Sequence, residues 1–174
     1  METGVLTYFA YGSNMLSRRL QATSRCPSAK AIGIATLHGY ALKWHKRSRK
    51  DGSGKCDIVR VDTPEAFVHG VLYEIDTSEK AALDREEGAG KGYEETAVDV
   101  LFNGVERRAT TYQATDTDET LRPLSWYREL VIAGAREHCL PEDYIALIET
   151  VDTIEDTDHE RHDKNMRLIE GIPG

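Results

Sequence analysis

The sequence predicts an α+β domain in which helices flank a small, mixed and mostly antiparallel β-barrel. Strand-like runs outnumber helical ones, and short loops join most of them instead of the helical crossovers that parallel strands need. The dipeptide Asn103-Gly104, between two long strand-like runs, adds a strong hairpin signal. The 174 residues fit one domain, which we place at residues 1–150, followed by an acidic surface tail at residues 151–174.

The first half of the chain begins with a strand, a turn and a helix. Residues 6–10 are aromatic and strand-like, and we expect a helix from about residue 14 to residue 22. Residues 29–44 predict two short strands with a break near Gly39. The basic segment 43–55, which is rich in Gly and Ser, predicts a loop.

The remaining strands follow from β-branched and aromatic runs. Residues 56–61 and 66–75 predict two of them, because Val, Ile and Tyr alternate onto one face. Residues 93–102 and 105–114 predict the hairpin across Asn103-Gly104, with a type I′ turn.

Three further helices carry start and stop signals. The first covers residues 79–87, with Thr77 or Ser78 as its cap and Gly88 at its end. The second runs from Ser125 to about residue 138. Another begins at Pro141 and turns three apolar residues inward, namely Tyr144, Leu147 and Ile148.

Composition narrows the function classes. A net charge of −8 argues against a general nucleic-acid binder, and no apolar run has the length of a membrane span. The start of the chain does not have the pattern of a signal peptide. The three cysteines are odd in number and far apart, which argues against a disulfide framework. We therefore expect a cytoplasmic protein.

The turn at residues 11–14 is the first candidate site. Gly12 allows a close approach to a ligand or a positive φ, and Ser13 and Asn14 are good helix N-cap residues. N–H groups at a helix start can hold a carboxylate or a phosphate, although the spacing of a phosphate-binding loop is missing. An ordinary strand–turn–helix corner explains the same residues.

Glu87 is the second candidate. It falls at the end of the predicted helix 79–87, where the helix dipole disfavours a carboxylate and raises its pKa. A carboxyl group with a raised pKa suits a general base that later acts as an acid. The alternative is a solvated acidic helix end.

Three other patterns carry less weight. The basic segment 43–55 could bind nucleic acid, but a solvated loop or a loop at the mouth of a site for anionic substrates fits an acidic chain better. His159 and His162 have the spacing of a metal pair on a helix, yet no third ligand cluster accompanies them. Ser13 is not in the Gly-x-Ser-x-Gly elbow of a hydrolase.

Together these motifs resemble the gamma-glutamylcyclotransferase family over roughly residues 7–144. The Tyr-Gly-Ser-Asn turn and the Leu-Asp-x-x-Glu-Gly motif are fairly specific as a pair in this order. The matching segments are Tyr8-Phe9-Ala10-Tyr11-Gly12-Ser13-Asn14, Lys46-Arg47-Ser48, Asp51-Gly52-Ser53-Gly54-Lys55, Gly70-Val71-Leu72-Tyr73, Leu83-Asp84-x-x-Glu87-Gly88, Tyr93, Ser125-x-Tyr127 and Gly134-Ala135.

The resemblance implies an enzyme that cleaves the γ-glutamyl amide bond of γ-glutamyl amino acids or amines to give 5-oxoproline and the free amine. It implies the mixed barrel with flanking helices, and no metal or organic cofactor. By matching motifs, Glu87 takes the catalytic position. The substrate-binding positions fall on Tyr8, Phe9, Ala10, Tyr11, Gly12, Ser13, Asn14 and Tyr127.

The expected partner is therefore a small γ-glutamyl substrate, with no nucleic acid and no membrane, and a homodimer is possible. Two features depart from the family pattern or blur it: Leu124 precedes Ser125 where many members have proline, and Glu86 lies beside Glu87. The alternative function is a non-catalytic module on the same fold that binds a small ligand or a protein.

Overall fold

Five strands close into a barrel in the order β1-β5-β2-β6-β7, and β3 and β4 form a separate two-stranded sheet. The computed structural model describes residues 4–172. The strands are β1 (Val5–Ala10), β2 (Lys30–His38), β3 (Tyr40–Arg47), β4 (Gly54–Arg60), β5 (Phe67–Asp76), β6 (Tyr93–Phe102) and β7 (Val105–Ala114). The helices are α1 (Ser17–Leu20), α2 (Lys80–Glu87), α3 (Ser125–Glu137), α4 (Glu142–Glu149) and α5 (His159–Met166).

The barrel is mixed because one of its joints is parallel. β1 pairs antiparallel with β5 over its whole length, and the pairs β2–β5, β2–β6 and β6–β7 are antiparallel as well. β1 and β7 meet in parallel, and within residues 4–172 their register is the single pair Tyr8–Thr110. The predicted fold class, a mostly antiparallel mixed barrel with flanking helices, is confirmed.

The β6–β7 hairpin forms where Asn103-Gly104 predicts it. Asn103 has φ 50° and Gly104 has φ 77°, so both central residues take the left-handed conformation of a type I′ turn. The helix end at Gly88 is also confirmed, since Gly88 has φ 65°. The cap before α2 differs: the Asp76 side chain accepts a hydrogen bond from the Ser78 N–H.

The predicted loop at residues 43–55 is wrong at both ends, because β3 continues to Arg47 and β4 begins at Gly54. Lys46 pairs with Lys55 and Arg47 with Gly54, so the basic segment forms a hairpin. A Cβ at position 54 would lie 2.2 Å from the Trp44 carbonyl oxygen. Gly54 therefore permits a close backbone approach, which a Gly-rich composition does not distinguish from a loop.

The first predicted helix is split. A 3₁₀ turn covers Ser13–Met15, Leu16 is extended, and α1 spans only Ser17–Leu20. Helix α3 lies directly against this break, because a Cβ on Gly134 would fall 2.6 Å from the Leu16 nitrogen. The close packing of α3 thus fixes the position of the turn at residues 11–14.

The C-terminal helices pack around α3. In α4, Tyr144 and Ile148 are buried as predicted, but Leu147 is 66% exposed and Ile145 faces the core in its place. Helix α5 also contacts α3. The buried Asp156 carboxylate anchors the preceding segment, since it accepts hydrogen bonds from Trp126 (2.8 Å) and Arg161 (2.5 and 2.6 Å).

The division at residue 150 stays a prediction. No helix within residues 4–172 combines the length and the apolar character that crossing a bilayer requires.

Candidate active site

An inner cavity lies where the end of β1, the end of α2 and the start of α3 meet. Its empty volume, including the space open to solvent, is about 310 Å³. Most of its wall consists of phenol rings and the turn that follows β1. The lining residues are Tyr8, Tyr11, Gly12, Ser13, Asn14, Cys56, Glu87, Tyr93, Tyr112 and Tyr127. The structure therefore brings Glu87 together with six of the eight predicted substrate-binding residues, Tyr8, Tyr11, Gly12, Ser13, Asn14 and Tyr127.

Asn14 joins the turn to the helix end. Its Nδ2 donates hydrogen bonds to the Glu87 carboxylate and to the Tyr8 hydroxyl (3.2 Å), and its Oδ1 accepts one from Arg25 (3.3 Å). The predicted capping role is not what the structure has, because the 3₁₀ turn carries no side-chain cap. Asn14 instead links two segments that are 73 residues apart in sequence.

Glu87 is the last residue of α2, and its neighbours on the helix hold it in place. The side chain of Leu83 projects from α2 into the core and is fully buried. The Asp84 carboxylate accepts hydrogen bonds from the Tyr112 hydroxyl and from Lys80 (2.6 and 2.7 Å). The left-handed Gly88 then turns the chain away. In the motif Leu-Asp-x-x-Glu-Gly, the leucine thus packs α2 onto the core and the aspartate bonds it to β7. The glutamate is the candidate acid, and the glycine ends the helix.

Burial raises the pKa of Glu87 above its ordinary value of 4.5. The nearby charges of Arg25, Arg19 and Lys46 and the hydrogen bond from Asn14 act in the opposite direction. The direction agrees with the sequence argument but the cause differs, since that argument rested on the helix dipole. Glu86 does not line the inner cavity and pairs with Arg25 at 3.3 Å.

Two tyrosines hold the backbone of Cys56 at the cavity wall. The Tyr127 hydroxyl accepts a hydrogen bond from the Cys56 N–H (3.1 Å), and the Tyr93 hydroxyl donates one to the Cys56 carbonyl (2.7 Å). Burial raises the pKa of both phenols well above 10, so both stay neutral.

Gly12 is required by close packing. Its φ is −113°, so the positive φ considered above is wrong. A Cβ at this position would lie 3.0 Å from the Cys56 Cβ and 3.2 Å from the Tyr127 hydroxyl oxygen. A side chain there would require both neighbours to shift by a few tenths of an ångström and would narrow the cavity.

Phe9 and Ala10 do not line the cavity. Both are fully buried in the barrel. The Phe9 carbonyl accepts a hydrogen bond from the Thr111 hydroxyl (2.8 Å), and the Phe9 ring lies where a Cβ on Gly70 would be, at 2.6 Å. They hold β1 in position behind Tyr8.

Four residues of the site were not among the predicted site residues: Arg25, Cys56, Tyr93 and Tyr112. The sequence does contain a signal for Tyr93 and Tyr112. The Asn103-Gly104 turn sets a hairpin register that places Glu95 opposite Tyr112, which puts Tyr93 and Tyr112 on the same face. Arg25 lies in the irregular segment after α1, where no periodicity marks it.

The inner cavity opens into a larger outer basin of about 900 Å³ empty volume. The two share five residues: Ser13, Asn14, Glu87, Tyr93 and Tyr127. Eight cationic side chains line the basin: Arg19, Arg25, Lys46, Arg49, Lys50, Lys55, Arg85 and Lys91. A strongly basic mouth therefore leads to a phenol-lined cavity with one carboxylate.

The described part of the chain holds no cluster of three His, Cys, Asp or Glu side chains placed to bind a metal. His159 and His162 lie on α5, outside the cavity. The chemistry that this arrangement offers is proton transfer by a carboxyl group within a cavity of neutral donors.

Comparison with known proteins identifies clear relatives. Residues 67–148 match the model of the AIG2-like family. The gamma-glutamylcyclotransferase of Bos taurus is 33% identical over 143 residues, which cover 79% of this chain and 73% of that protein. The gamma-glutamylcyclotransferase of Homo sapiens is 32% identical over the same shares.

A solved structure of a gamma-glutamyl cyclotransferase has the same fold. It superposes with a TM-score of 0.83 at 26% sequence identity, over 94% of this chain and 99% of the other. The similarity thus extends over the barrel and the flanking helices together.

Proposed function

This chain belongs to the gamma-glutamylcyclotransferase family of enzymes, and we propose that it converts γ-glutamyl amino acids or amines into 5-oxoproline and the free amine, with Glu87 as general acid and base. The observation that carries the proposal is the Asn14–Glu87 hydrogen bond at the wall of the inner cavity. It joins the two motifs on which the resemblance rests. A cytoplasmic location stays a prediction.

The reaction is an intramolecular acyl transfer. The α-amine of the glutamyl group loses a proton to Glu87 and attacks its own γ-carbonyl carbon, which forms the C–N bond of the five-membered ring. The amide C–N bond then breaks, and protonated Glu87 returns the proton to the departing amine. No water is consumed, and the two products contain all the atoms of the substrate.

The cavity walls supply the remaining requirements. Neutral phenols and the turn at residues 11–14 surround a space that favours a folded glutamyl group, which brings the amine close to the carbonyl. N–H groups at the start of a helical turn have no intrahelical partner. Those of the turn bind either the α-carboxylate or the oxyanion of the tetrahedral intermediate.

The position of Glu87 supports it over Glu86 as the acid and base. Glu87 lines the inner cavity and is bonded to Asn14, whereas Glu86 lines the outer basin and pairs with Arg25. The raised pKa of Glu87 suits a group that must both take and return a proton.

The first test replaces each glutamate separately and measures 5-oxoproline release from a panel of γ-glutamyl dipeptides and amines. We expect Glu87→Gln to lower kcat by roughly 10²–10⁴-fold, because general acid–base catalysis contributes that much. Glu86→Gln is the matched control and should retain most of the activity. Thermal unfolding of both variants checks that each is folded.

Loss of activity in Glu86→Gln with retention in Glu87→Gln would assign the role to the other residue. If the wild-type protein bound γ-glutamyl compounds but released no 5-oxoproline from any of them, it would be a binding module instead.

A further inference from the structure

The outer basin holds more positive charge than its own carboxylates balance. Of its eight cations, Arg25 pairs with Glu86, and Lys55 pairs with Asp51 at 3.2 Å. Arg49, Lys50, Arg85 and Lys91 are exposed around the rim. This concentration occurs in a chain whose net charge is −8, so it is a local feature of this surface.

Lys46 is the most informative of these cations because it is buried. It is only 9% exposed, and its ammonium lies 4.6 Å from the centre of the Tyr93 ring. Within residues 4–172 it makes no ion pair and no side-chain hydrogen bond to a carboxylate. Buried charges in proteins are normally paired, whereas Lys46 lines the basin and is stabilised, beyond its Tyr93 contact, mainly by the longer-range attraction of Glu87.

Arg19 has the same property at one of its nitrogens. Its Nε is buried and has no hydrogen-bond partner in the described part of the chain, and its Nη1 reaches only Asn165 at 3.5 Å. Burial and, after it, the neighbouring charge of Arg25 lower the pKa of Arg19 to about 10. Burial lowers the pKa of Lys55, and the charges of Arg19 and Lys46 lower it as well. These cations are close enough to repel one another.

Such a group of cations is stabilised when an anion enters it. The basin meets the inner cavity at five shared residues, so a glutamyl group in the cavity would direct its amide substituent into the basin. We propose that the basin selects substrates whose amine half carries at least two negative charges. This inference rests on the proposed function, because it assigns the inner cavity to the glutamyl half.

The test compares two dipeptides that differ by one charge and have nearly the same shape: γ-glutamyl-glutamate and γ-glutamyl-glutamine. We expect kcat/KM to be about tenfold or more higher for the glutamate peptide, the ratio that one charge-assisted hydrogen bond supplies. The ratio should fall as the salt concentration rises, because salt screens the rim charges. γ-Glutamyl-lysine should be the poorest of the three.

Single substitutions test which lysines produce the preference for the glutamate peptide. Lys46→Gln should bring the ratio close to one, and Lys50→Gln should lower it partly, because Lys50 is exposed at the rim. Lys30→Gln, an exposed lysine at the start of β2, is the matched control and should leave the ratio unchanged. Lys46 also lowers the pKa of Glu87, so its loss affects turnover of every substrate. The ratio between two substrates of the same variant cancels that effect.

Equal kcat/KM values for the two dipeptides in wild-type protein would overturn the inference and leave the proposed function intact. If neither dipeptide released 5-oxoproline, the proposed function would fail for these substrates, and calorimetric binding would then decide the inference. Binding of γ-glutamyl-glutamate about tenfold more tightly than γ-glutamyl-glutamine supports it, and equal affinities overturn it.

Discussion

Two opposing influences act on the pKa of Glu87. Burial favours the neutral carboxylic acid, whereas Arg25, Arg19 and Lys46 favour the carboxylate. Arg25 exerts the largest of the opposing effects and also positions the Asn14 amide that contacts Glu87. One arginine outside the inner cavity therefore influences both the protonation and the orientation of the proposed base.

The pH dependence of kcat/KM should report this balance. Glu87 must be ionised to take a proton, so activity falls as the pH drops through its pKa, and the acidic limb should have its midpoint above 4.5. Arg25→Gln removes the largest influence that lowers the pKa, so the limb should move to higher pH and kcat should fall.

Arg85→Gln is the control for that experiment, because Arg85 is an exposed arginine on α2, the helix of Glu87, and is not among the main influences on the pKa of Glu87. An acidic limb that stayed in place in Arg25→Gln, or that moved equally in Arg85→Gln, would contradict this account.

At the same scale, the residue types of the site were predictable but their contacts were not. The sequence identifies Asn14 and Glu87 as polar groups at a turn and at a helix end. It does not show that the Asn14 amide contacts the Glu87 carboxylate, because tertiary packing brings the two segments together. Gly12 is similar: its need for space comes from Cys56 and Tyr127, which are distant in sequence.

Among the elements, helix α2 and the β6–β7 hairpin each depend on a glycine in the left-handed conformation. Gly88 has φ 65° and Gly104 has φ 77°, and both have space for a methyl group, since no atom lies closer than 4.0 Å to a Cβ at position 88 and none within 4 Å at position 104. Alanine in this conformation costs about 1 kcal/mol or slightly more.

We therefore expect Gly88→Ala and Gly104→Ala to lower the free energy of unfolding by similar amounts, about 1 kcal/mol each. Only Gly88→Ala should also lower kcat/KM, because it displaces the end of α2 and with it Glu87. Urea unfolding and 5-oxoproline release measure the two effects. Equal losses of activity in both variants would show that stability, not the position of Glu87, controls turnover.

These two elements were predictable because their signals are local. A turn dipeptide and a helix-ending glycine act through their own φ angles, whatever surrounds them. Residues 43–47 and Leu147 were predicted wrongly because tertiary contacts decide them. Gly54 lies against Trp44 and keeps β3 and β4 paired, and α4 meets the core through Ile145.

At the scale of the whole molecule, His45 links the two-stranded sheet to the segment that follows β7. Its imidazole lies between the buried Asp57 carboxylate (2.8 Å) and the exposed Glu119 carboxylate (2.6 Å). Asp57 also accepts a hydrogen bond from the Ala114 N–H at the end of β7 (2.8 Å). Burial disfavours the charged imidazole, but the two carboxylates outweigh burial and raise the pKa of His45 above 6.5.

This contact should make stability depend on pH. A histidine with a raised pKa in the folded state stabilises fully below its unfolded pKa of 6.5, and the contribution is lost as the pH rises through the folded pKa. The difference in unfolding free energy between wild type and His45→Gln should therefore be larger near about pH 6 than near about pH 9.

His69 provides a control of opposite sign. Burial lowers its pKa, so its contribution is present above 6.5 and is lost as the pH falls through the folded value. The difference for His69→Gln should thus grow with rising pH. The same trend in both variants would show that the two histidines do not titrate as described.

The parallel joint between β1 and β7 has a consequence for opening of the barrel. Within residues 4–172 this joint and the β2–β6 joint have the fewest backbone pairs of the barrel, with the single pairs Tyr8–Thr110 and Thr36–Leu101. Side-chain bonds such as Thr111 to Phe9 reinforce the β1–β7 joint. Tyr8 and Tyr112 stand on opposite sides with ring centres 6.1 Å apart, and both line the inner cavity. A ligand that contacted both rings in the inner cavity would favour the closed barrel and so suppress local unfolding along this joint.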